Sequence, residues 1–204
     1  IRRVVMRAPR VNRSVESAVL YITPCAGRQF RCENKPMSQF SEITFTASVH
    51  DPLALPPDTG REVAFAGRSN AGKSSAINAI TRRKRLAFTS KTPGRTQTIN
   101  FFDCGRQRRL VDLPGYGYAA VPAREQAHWE LLISTYLQNR NSLIGLIIIM
   151  DSRHPLMPLD QHLMDWFAPT GKPMHVLLTK ADKLTRAAAN DTLRSVRASL
   201  AQTY

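Results

Sequence analysis

Gly67-Arg68-Ser69-Asn70-Ala71-Gly72-Lys73-Ser74 satisfies G-x-x-x-x-G-K-[ST] at every position. Just upstream, Glu62-Val63-Ala64-Phe65-Ala66 reads as a short buried strand feeding straight into this loop, and Lys73 to about Thr81 reads as a helix. Strand, glycine-bearing loop and helix N-terminus in that order make a cradle for phosphate. The glycines let backbone N–H groups turn inward around phosphate oxygens, and the helix start adds its partial positive charge. Lys73 is placed to reach the β- and γ-phosphates, and Ser74 to ligate Mg2+. The stretch predicts a binder of nucleoside di- or triphosphates, with Gly67 through Ser75 wrapped around the phosphates.

Outward from the loop, strands and helices alternate. Thr98 to Phe102 and Arg108 to Val111 read as two strands of a hairpin turned near Gly105. A helix is expected from about Ala123 to Asn139. Leu143 to Met150 is a continuous apolar run, the pattern of a central strand buried on both faces. Further segments are a helix from about Leu159 to Phe167, a strand from Pro173 to Leu178, and a helix from Arg186 to about Gln202. The order implies an α/β fold, a mostly parallel sheet with helices on both faces. The run Leu143 to Met150 is too short to cross a bilayer, which needs about 20 residues. Cys25, Cys32 and Cys104 form no C-x-x-C pair, so neither a disulfide scaffold nor a zinc site is supported, and a reducing compartment is the easier fit. His50, His128, His154, His162 and His175 are never at metal-ligand spacing.

Twenty-nine Lys and Arg against fifteen Asp and Glu leave a net charge of +14. Residues 61–110 hold 12 basic and 2 acidic side chains, so the surplus concentrates around the phosphate loop. Such a surplus points to a polyanionic partner, because phosphate neutralisation releases counterions. Residues 1–36 look unlike the rest: Arg2, Arg3, Arg7, Arg10 and Arg13 precede any acidic residue, and no signal-peptide apolar region follows. Two readings stand, an organellar transit peptide or vector-derived or upstream sequence ahead of a native start at Met37. The second is preferred. Residues 1–36 are placed outside the fold and 37–204 within one domain.

Two later motifs choose the nucleotide. Asp112-Leu113-Pro114-Gly115 is D-x-x-G directly after a strand: Asp112 can hold Mg2+ through water, and the Gly115 N–H can meet a γ-phosphate. Thr179-Lys180-Ala181-Asp182 is T-K-x-D after another strand. Asp182 can accept both the ring N–H and the exocyclic amine of guanine, a pair adenine cannot offer, while the Lys180 stem can lie over the nucleotide plane. The competing reading of Asp182 is a helix N-cap. Three motifs in this order, each at a strand's C-terminal edge, favour guanine.

These runs, together with Lys91-Thr92-Pro93-Gly94-Arg95-Thr96-Gln97 and the extension Tyr116-Gly117-Tyr118, resemble the EngB (YihA/YsxC) family. These are small Era-like GTPases of the translation-factor-related class. The resemblance spans roughly Ser41 to Tyr204 and implies a Ras-like G domain that hydrolyses GTP to GDP. It also implies a role in assembly of the large ribosomal subunit, and with it cell division and septation, in the bacterial cytoplasm or in an organelle. By position, Thr96 is the implied switch I threonine closing over Mg2+ and the γ-phosphate, with Thr92 second. Pro93, Gly94 and Arg95 flank the nucleotide. Lys73, Thr96 and Gly115 are the implied catalytic set. Asn70 matches a position that in related GTPases helps hold K+ beside the phosphates; the plainer reading is a loop-bonding asparagine.

Tyr116 stands where Ras-type GTPases carry the glutamine that orients the attacking water, so slow intrinsic hydrolysis is expected. The fifth guanine motif is not found before Tyr204, and the final strand and helix of a G domain are expected to be missing. Arg82, Arg83, Lys84 and Arg85, with Lys91, Arg95, Arg106, Arg108 and Arg109, form a candidate rRNA footprint; the alternative is that the first four only oppose a helix dipole. Phe88, Phe101 and Phe102 can stack on bases, although core packing suits the last two better. Trp129 and Trp166 read as core. A monomeric nucleotide switch is the preferred reading. A nucleotide-gated rRNA-binding module with incidental hydrolysis and an ATP-using P-loop enzyme are its rivals.

Overall fold

A computed structural model of the chain describes residues 19–22, 42–87, 98–117 and 123–204. Its strands are β1 (Val19–Ile22), β2 (Thr44–Val49), β3 (Arg61–Gly67), β4 (Ile99–Asp103), β5 (Arg108–Asp112), β6 (Leu143–Asp151) and β7 (Met174–Thr179). The helices are α1 (Lys73–Thr81), α2 (Ala123–Asn139), α3 (Pro158–Phe167) and α4 (Arg186–Thr203). One sheet runs in the order β1-β7-β6-β3-β5-β4-β2. The four central strands β7, β6, β3 and β5 are parallel. Strands β4, β2 and β1 are antiparallel to their neighbours and sit toward the edges.

Alternation along the strands sorts the core into two layers. Ala64 and Ala66 of β3, Val111 of β5, Leu146, Ile148 and Met150 of β6, and Val176 and Leu178 of β7 share one cluster with α2, α3 and α4. Phe65, Leu110, Ile149 and Leu177 point the other way, into a cluster that includes Ala76 and Ile77 of α1. Strand β6 is thus buried on both faces over most of its length, as its unbroken apolar run requires.

Two strands have no counterpart in the sequence reading. Thr44–Val49 alternates polar and apolar residues but carries a bulge between Phe45 and Ala47, which interrupts the period of two. Val19–Ile22 lies inside the stretch 1–36 set outside the fold, yet it runs antiparallel to β7, with Val19 opposite Leu178 and Ile22 opposite His175. An unpaired β7 would present a row of open N–H and C=O groups, and a short apolar run with Val, Tyr and Ile is a fitting cover for it.

The sheet's N-terminal end is tied by a buried ionic cluster that the sequence reading missed. Glu62 is fully buried in β3. Its carboxylate accepts from Tyr136 Oη at 3.0 Å, from Arg140 Nε at 2.9 Å and Nη2 at 2.8 Å, and from Arg109 Nη1 at 3.0 Å. Arg140 also donates to the Pro56 and Pro57 carbonyls. This fastens the loop before β3 to the end of α2. Arg109, counted in the candidate RNA footprint, is bound into the same cluster through Glu62 and the Pro57 and Thr59 carbonyls.

Candidate nucleotide site

The phosphate loop leaves β3 at Gly67 and enters α1 at Lys73. Gly72 caps the helix at φ 96°, a left-handed conformation that side chains resist, and a Cβ there would sit 3.4 Å from Thr179 Oγ1. Asn70 also has positive φ, at 61°. Within the loop, Ala71 N–H donates to the Arg68 carbonyl at 3.0 Å. The Ser69 hydroxyl is buried and has no protein hydrogen-bond partner among the described residues. A buried hydroxyl left open in this loop suits a phosphate oxygen or a bound water.

Strands β5, β6 and β7 bring the other motifs to the same edge of the sheet. Asp112 ends β5, nearly buried, and accepts from Lys73 Nζ in an ion pair. Burial pushes the Asp112 carboxyl up, and the Lys73 charge pulls it back down. Lys73 and Asp112 thus neutralise each other. The residues fit Mg2+. Ser74 and Asp112 supply only hard oxygen ligands, and Mg2+ keeps several waters and phosphate oxygens for the rest of its shell. No cluster of three His, Cys, Asp or Glu side chains placed to hold a metal occurs among the described residues.

Gly115 lies against the loop. A Cβ there would sit 3.3 Å from Ser69 Cα, tight enough that a larger residue would push the two backbones apart by a few tenths of an ångström. Leu113 and Pro114, placed by sequence among the nucleotide contacts, are buried instead, and Leu113 N–H donates to the Phe65 carbonyl at 2.9 Å. That bond fixes the turn against β3.

The T-K-x-D segment reaches the loop through side chains. Thr179 Oγ1 donates to the Ala71 carbonyl and lies 3.1 Å from the Met150 carbonyl, so this hydroxyl positions the phosphate loop. Lys180, in a left-handed conformation at φ 57°, extends Nζ to the Asn70 carbonyl at 2.6 Å and to Asp151 at 3.0 Å. Its stem therefore spans from the guanine motif to the phosphate loop, where a nucleotide plane can rest on it. Asp151 is held well below the usual carboxylate range, first by Arg153 and then by Lys180. Asp182 does not cap α4; Thr185 does, accepting from Ala188 N–H at 3.2 Å. The Asp182 side chain is 55% exposed, with Lys183 Nζ 3.6 Å away, and its acceptors face solvent where a guanine edge can reach them.

The Tyr116 side chain is buried, with Oη donating to Asp160 at 2.7 Å. Burial, then the Asp160 charge, pushes the phenol far up, so it stays protonated. Trp166 is only partly buried and packs on exposed His162 rather than within the core. Lys91, Thr92, Pro93, Gly94, Arg95 and Thr96 lie outside the described residues, as do Phe88 and Tyr118. Arg82, Arg83, Lys84 and Arg85 are exposed just past α1. Their turn is stapled by Asn78, whose side chain accepts from Leu86 and Ala87 N–H and donates to the Ala87 carbonyl.

A strand-loop-helix phosphate cradle, a D-x-x-G turn against it and a guanine motif at the next strand edges define a P-loop GTPase. The family model described as 50S ribosome-binding GTPase matches residues 62–180. The chain belongs to the EngB family. It is 60% identical over 168 residues to a probable GTP-binding protein EngB of Azoarcus sp. strain BH72, covering 82% of this chain and 80% of that one. It is 62% identical over 157 residues to the namesake of Thiobacillus denitrificans, covering 77% and 76%. A crystal structure of a probable GTP-binding protein engB shares the fold, with TM-score 0.56 and 20% identity over 70% of this chain and 82% of that one.

Proposed function

We propose that this GTP-binding protein is a slow GTPase that acts as a nucleotide-dependent switch in assembly of the large ribosomal subunit, and through it in cell division and septation. The observation that carries the reading is the family match to 50S ribosome-binding GTPases, joined to a stapled, exposed turn of four cations, Arg82 to Arg85. A fixed cationic turn suits a phosphate backbone, because its shape is set before binding and little ordering cost remains. Lys91 and Arg95 extend the proposed rRNA contact, and Arg106 at the β4–β5 turn stands exposed as well.

Around GTP, Lys73 exchanges Asp112 for the β- and γ-phosphates, and the loop amides and the Ser69 hydroxyl take phosphate oxygens. Asp182 reads guanine, and Gly115 and Thr96 meet the γ-phosphate. Ser74, Thr96 and, through water, Asp112 would hold Mg2+, which would supply positive charge against that developing on the phosphates. Slow hydrolysis follows from the position of Tyr116: residue 116 offers its backbone but no side chain to an attacking water. The exposed, left-handed Asn70 beside the phosphates suits a K+ site. The protein acts as a monomer in the cytoplasm, a reading in line with its bacterial relatives.

Sedimentation with isolated large subunits at two salt concentrations tests the ribosomal reading. Co-pelleting is expected to favour the state loaded with a non-hydrolysable GTP analogue and to survive the higher salt. Equal pelleting with GDP, lost with salt, would reduce the +14 charge to nonspecific adhesion. Equal GTPase rates in KCl and NaCl would remove K+ from the mechanism.

A further inference from the structure

We propose that Asp160 is a positioning residue for γ-phosphate recognition: by holding the Tyr116 phenol it fixes Gly115 against the phosphate loop, so that GTP, but not GDP, depends on the Tyr116–Asp160 hydrogen bond. The inference rests on the GTP-binding reading and goes beyond it by assigning a residue on α3 a part in telling triphosphate from diphosphate.

The D-x-x-G turn is joined to the phosphate loop by little main-chain structure. Arg68 and Tyr116 form an isolated parallel bridge. Ser69 N–H donates to the Tyr116 carbonyl at 2.8 Å, and Tyr116 N–H reaches the Gly67 carbonyl only at 3.4 Å. A bridge of this kind leaves the backbone at 115–117 free to shift by tenths of an ångström unless a side chain anchors it. Tyr116 is that side chain. It is 4% exposed, and its hydroxyl ends on Asp160 Oδ1 at 2.7 Å.

The anchor itself is rigid. Asp160 is 1% exposed in the first turn of α3, whose Leu163, Met164 and Phe167 are packed in the core. Asp160 Oδ2 accepts from Met157 N–H at 3.1 Å, and Asp160 N–H donates to the Met157 carbonyl at 2.8 Å. Burial pushes the Asp160 carboxyl up, while Tyr116 and Met157 donate to it and oppose that rise. Capping α3 needs only the Met157 contact. The second oxygen is committed to Tyr116, in a different part of the chain, and a helix cap alone does not explain it.

The consequence is specific to nucleotide state. GDP is held by Lys73 and the amides at the helix end of the loop; the loop meets residue 116 only through main-chain bonds at Arg68 and Ser69, not through the phenol. The γ-phosphate of GTP is met by the Gly115 N–H, and Gly115 is the residue before the anchor. Directional hydrogen bonds weaken steeply with small misplacement, so a loosened anchor costs the triphosphate and spares the diphosphate.

Affinities of the full chain for fluorescent GDP and for a fluorescent non-hydrolysable GTP analogue, with Mg2+ present, test this, alongside melting temperatures. Tyr116→Phe is expected to weaken the analogue about five- to tenfold, a loss of one charge-assisted contact, while GDP stays within about twofold. Asp160→Asn keeps an amide oxygen for the phenol and turns its N–H2 toward Met157 N–H. It is expected to lower the melting temperature yet preserve the affinity ratio. Asp160→Ala should lose both. Val196→Ala, in the same core layer but on α4, should lower the melting temperature with the ratio intact. A Tyr116→Phe ratio equal to wild type, or equal loss of both nucleotides, overturns the proposal and leaves the pair a purely structural contact. Should Tyr116→Phe fail to fold, equal ratios for Asp160→Asn and Asp160→Ala overturn it in the same way. Wild-type protein that binds neither nucleotide is a different failure, that of the GTP-binding reading itself.

Discussion

Lys73→Ala is expected to lower affinity for both GDP and GTP by a hundredfold or more, and at the same time to destabilise the empty protein. Two separate losses combine. The first is the cation that meets the phosphates. A charge-assisted contact in a partly desolvated site is worth roughly 2–5 kcal/mol when one partner is truncated. The second is internal, because Lys73 is the partner of Asp112, a carboxylate almost removed from water. Deleting the lysine leaves that charge uncompensated, at a cost of about 3 kcal/mol. The sign with pH follows from burial, which raises the Asp112 pKa above its ordinary 3.8 even against the opposing Lys73 charge, and raises it further once that charge is removed. A raised carboxyl binds its proton more tightly folded than unfolded, so the variant's stability falls as pH rises through the folded pKa. Thermal melts of Lys73→Ala should therefore converge on wild type as pH falls toward the ordinary carboxylate value of 3.8 and separate as it rises. Adding Asp112→Asn should recover most of the melting temperature and none of the binding. Calorimetric titration that still shows tight GDP binding to Lys73→Ala would remove the lysine from the phosphate site.

Arg140→Ala should be the most damaging single substitution for the fold among those far from the nucleotide. It removes two donors to the fully buried Glu62, as well as the bonds to the Pro56 and Pro57 carbonyls. It also takes a guanidinium from the ring faces of Phe101 and Tyr136, whose centroids lie 5.7 and 6.0 Å away. Breaking one side of a buried ion pair costs about 3–5 kcal/mol, which for a chain of this size lowers the melting temperature by roughly 6–20 °C. Burial alone would raise the Glu62 carboxyl, but the hydrogen bonds and charge of Arg140, then Arg109 and Tyr136, hold it below its ordinary 4.5. A depressed carboxyl stabilises the fold above that ordinary value, and the contribution is lost as pH falls through the folded pKa. Wild type should thus lose stability steeply below about pH 4. In Arg140→Ala the balance reverses, burial dominates and the acid limb flattens. Denaturant melts from pH 3 to 8 read both effects; parallel pH profiles for the two proteins would show that Arg140 does not set the Glu62 charge.

Both predictions concern pairs that meet far apart in sequence, and this separates what was legible in the chain from what was not. The phosphate loop, α1 from Lys73 to Thr81, α2 from Ala123 to Asn139 and the hairpin turning at Gly105 could be read off residue order, because each depends on the backbone preferences of neighbours and on a local period. The same holds for the guanine motif, whose segment must follow a strand. Strands β1 and β2 were not legible: a four-residue run and a bulged six-residue run carry too little periodicity, and only the edges of an assembled sheet select them.

The sequence by itself determined that the chain carries a cradle for a guanine nucleotide, since glycine, lysine, serine and aspartate at those spacings have a chemistry that does not wait for the rest of the fold. Which way each side chain faces was decided by tertiary structure. Tyr116 occupies the position of a water-orienting glutamine, yet it turns into the core because Asp160, 44 residues on, accepts its hydroxyl. Asp182 is free of helix capping because Thr185 already serves α4. Lys180 reaches back 110 residues to the Asn70 carbonyl, and Arg140 reaches back 78 to Glu62. A buried charge or phenol takes its partner from whichever chain segment the sheet order brings beside it, and that order is set by the packing of the whole domain.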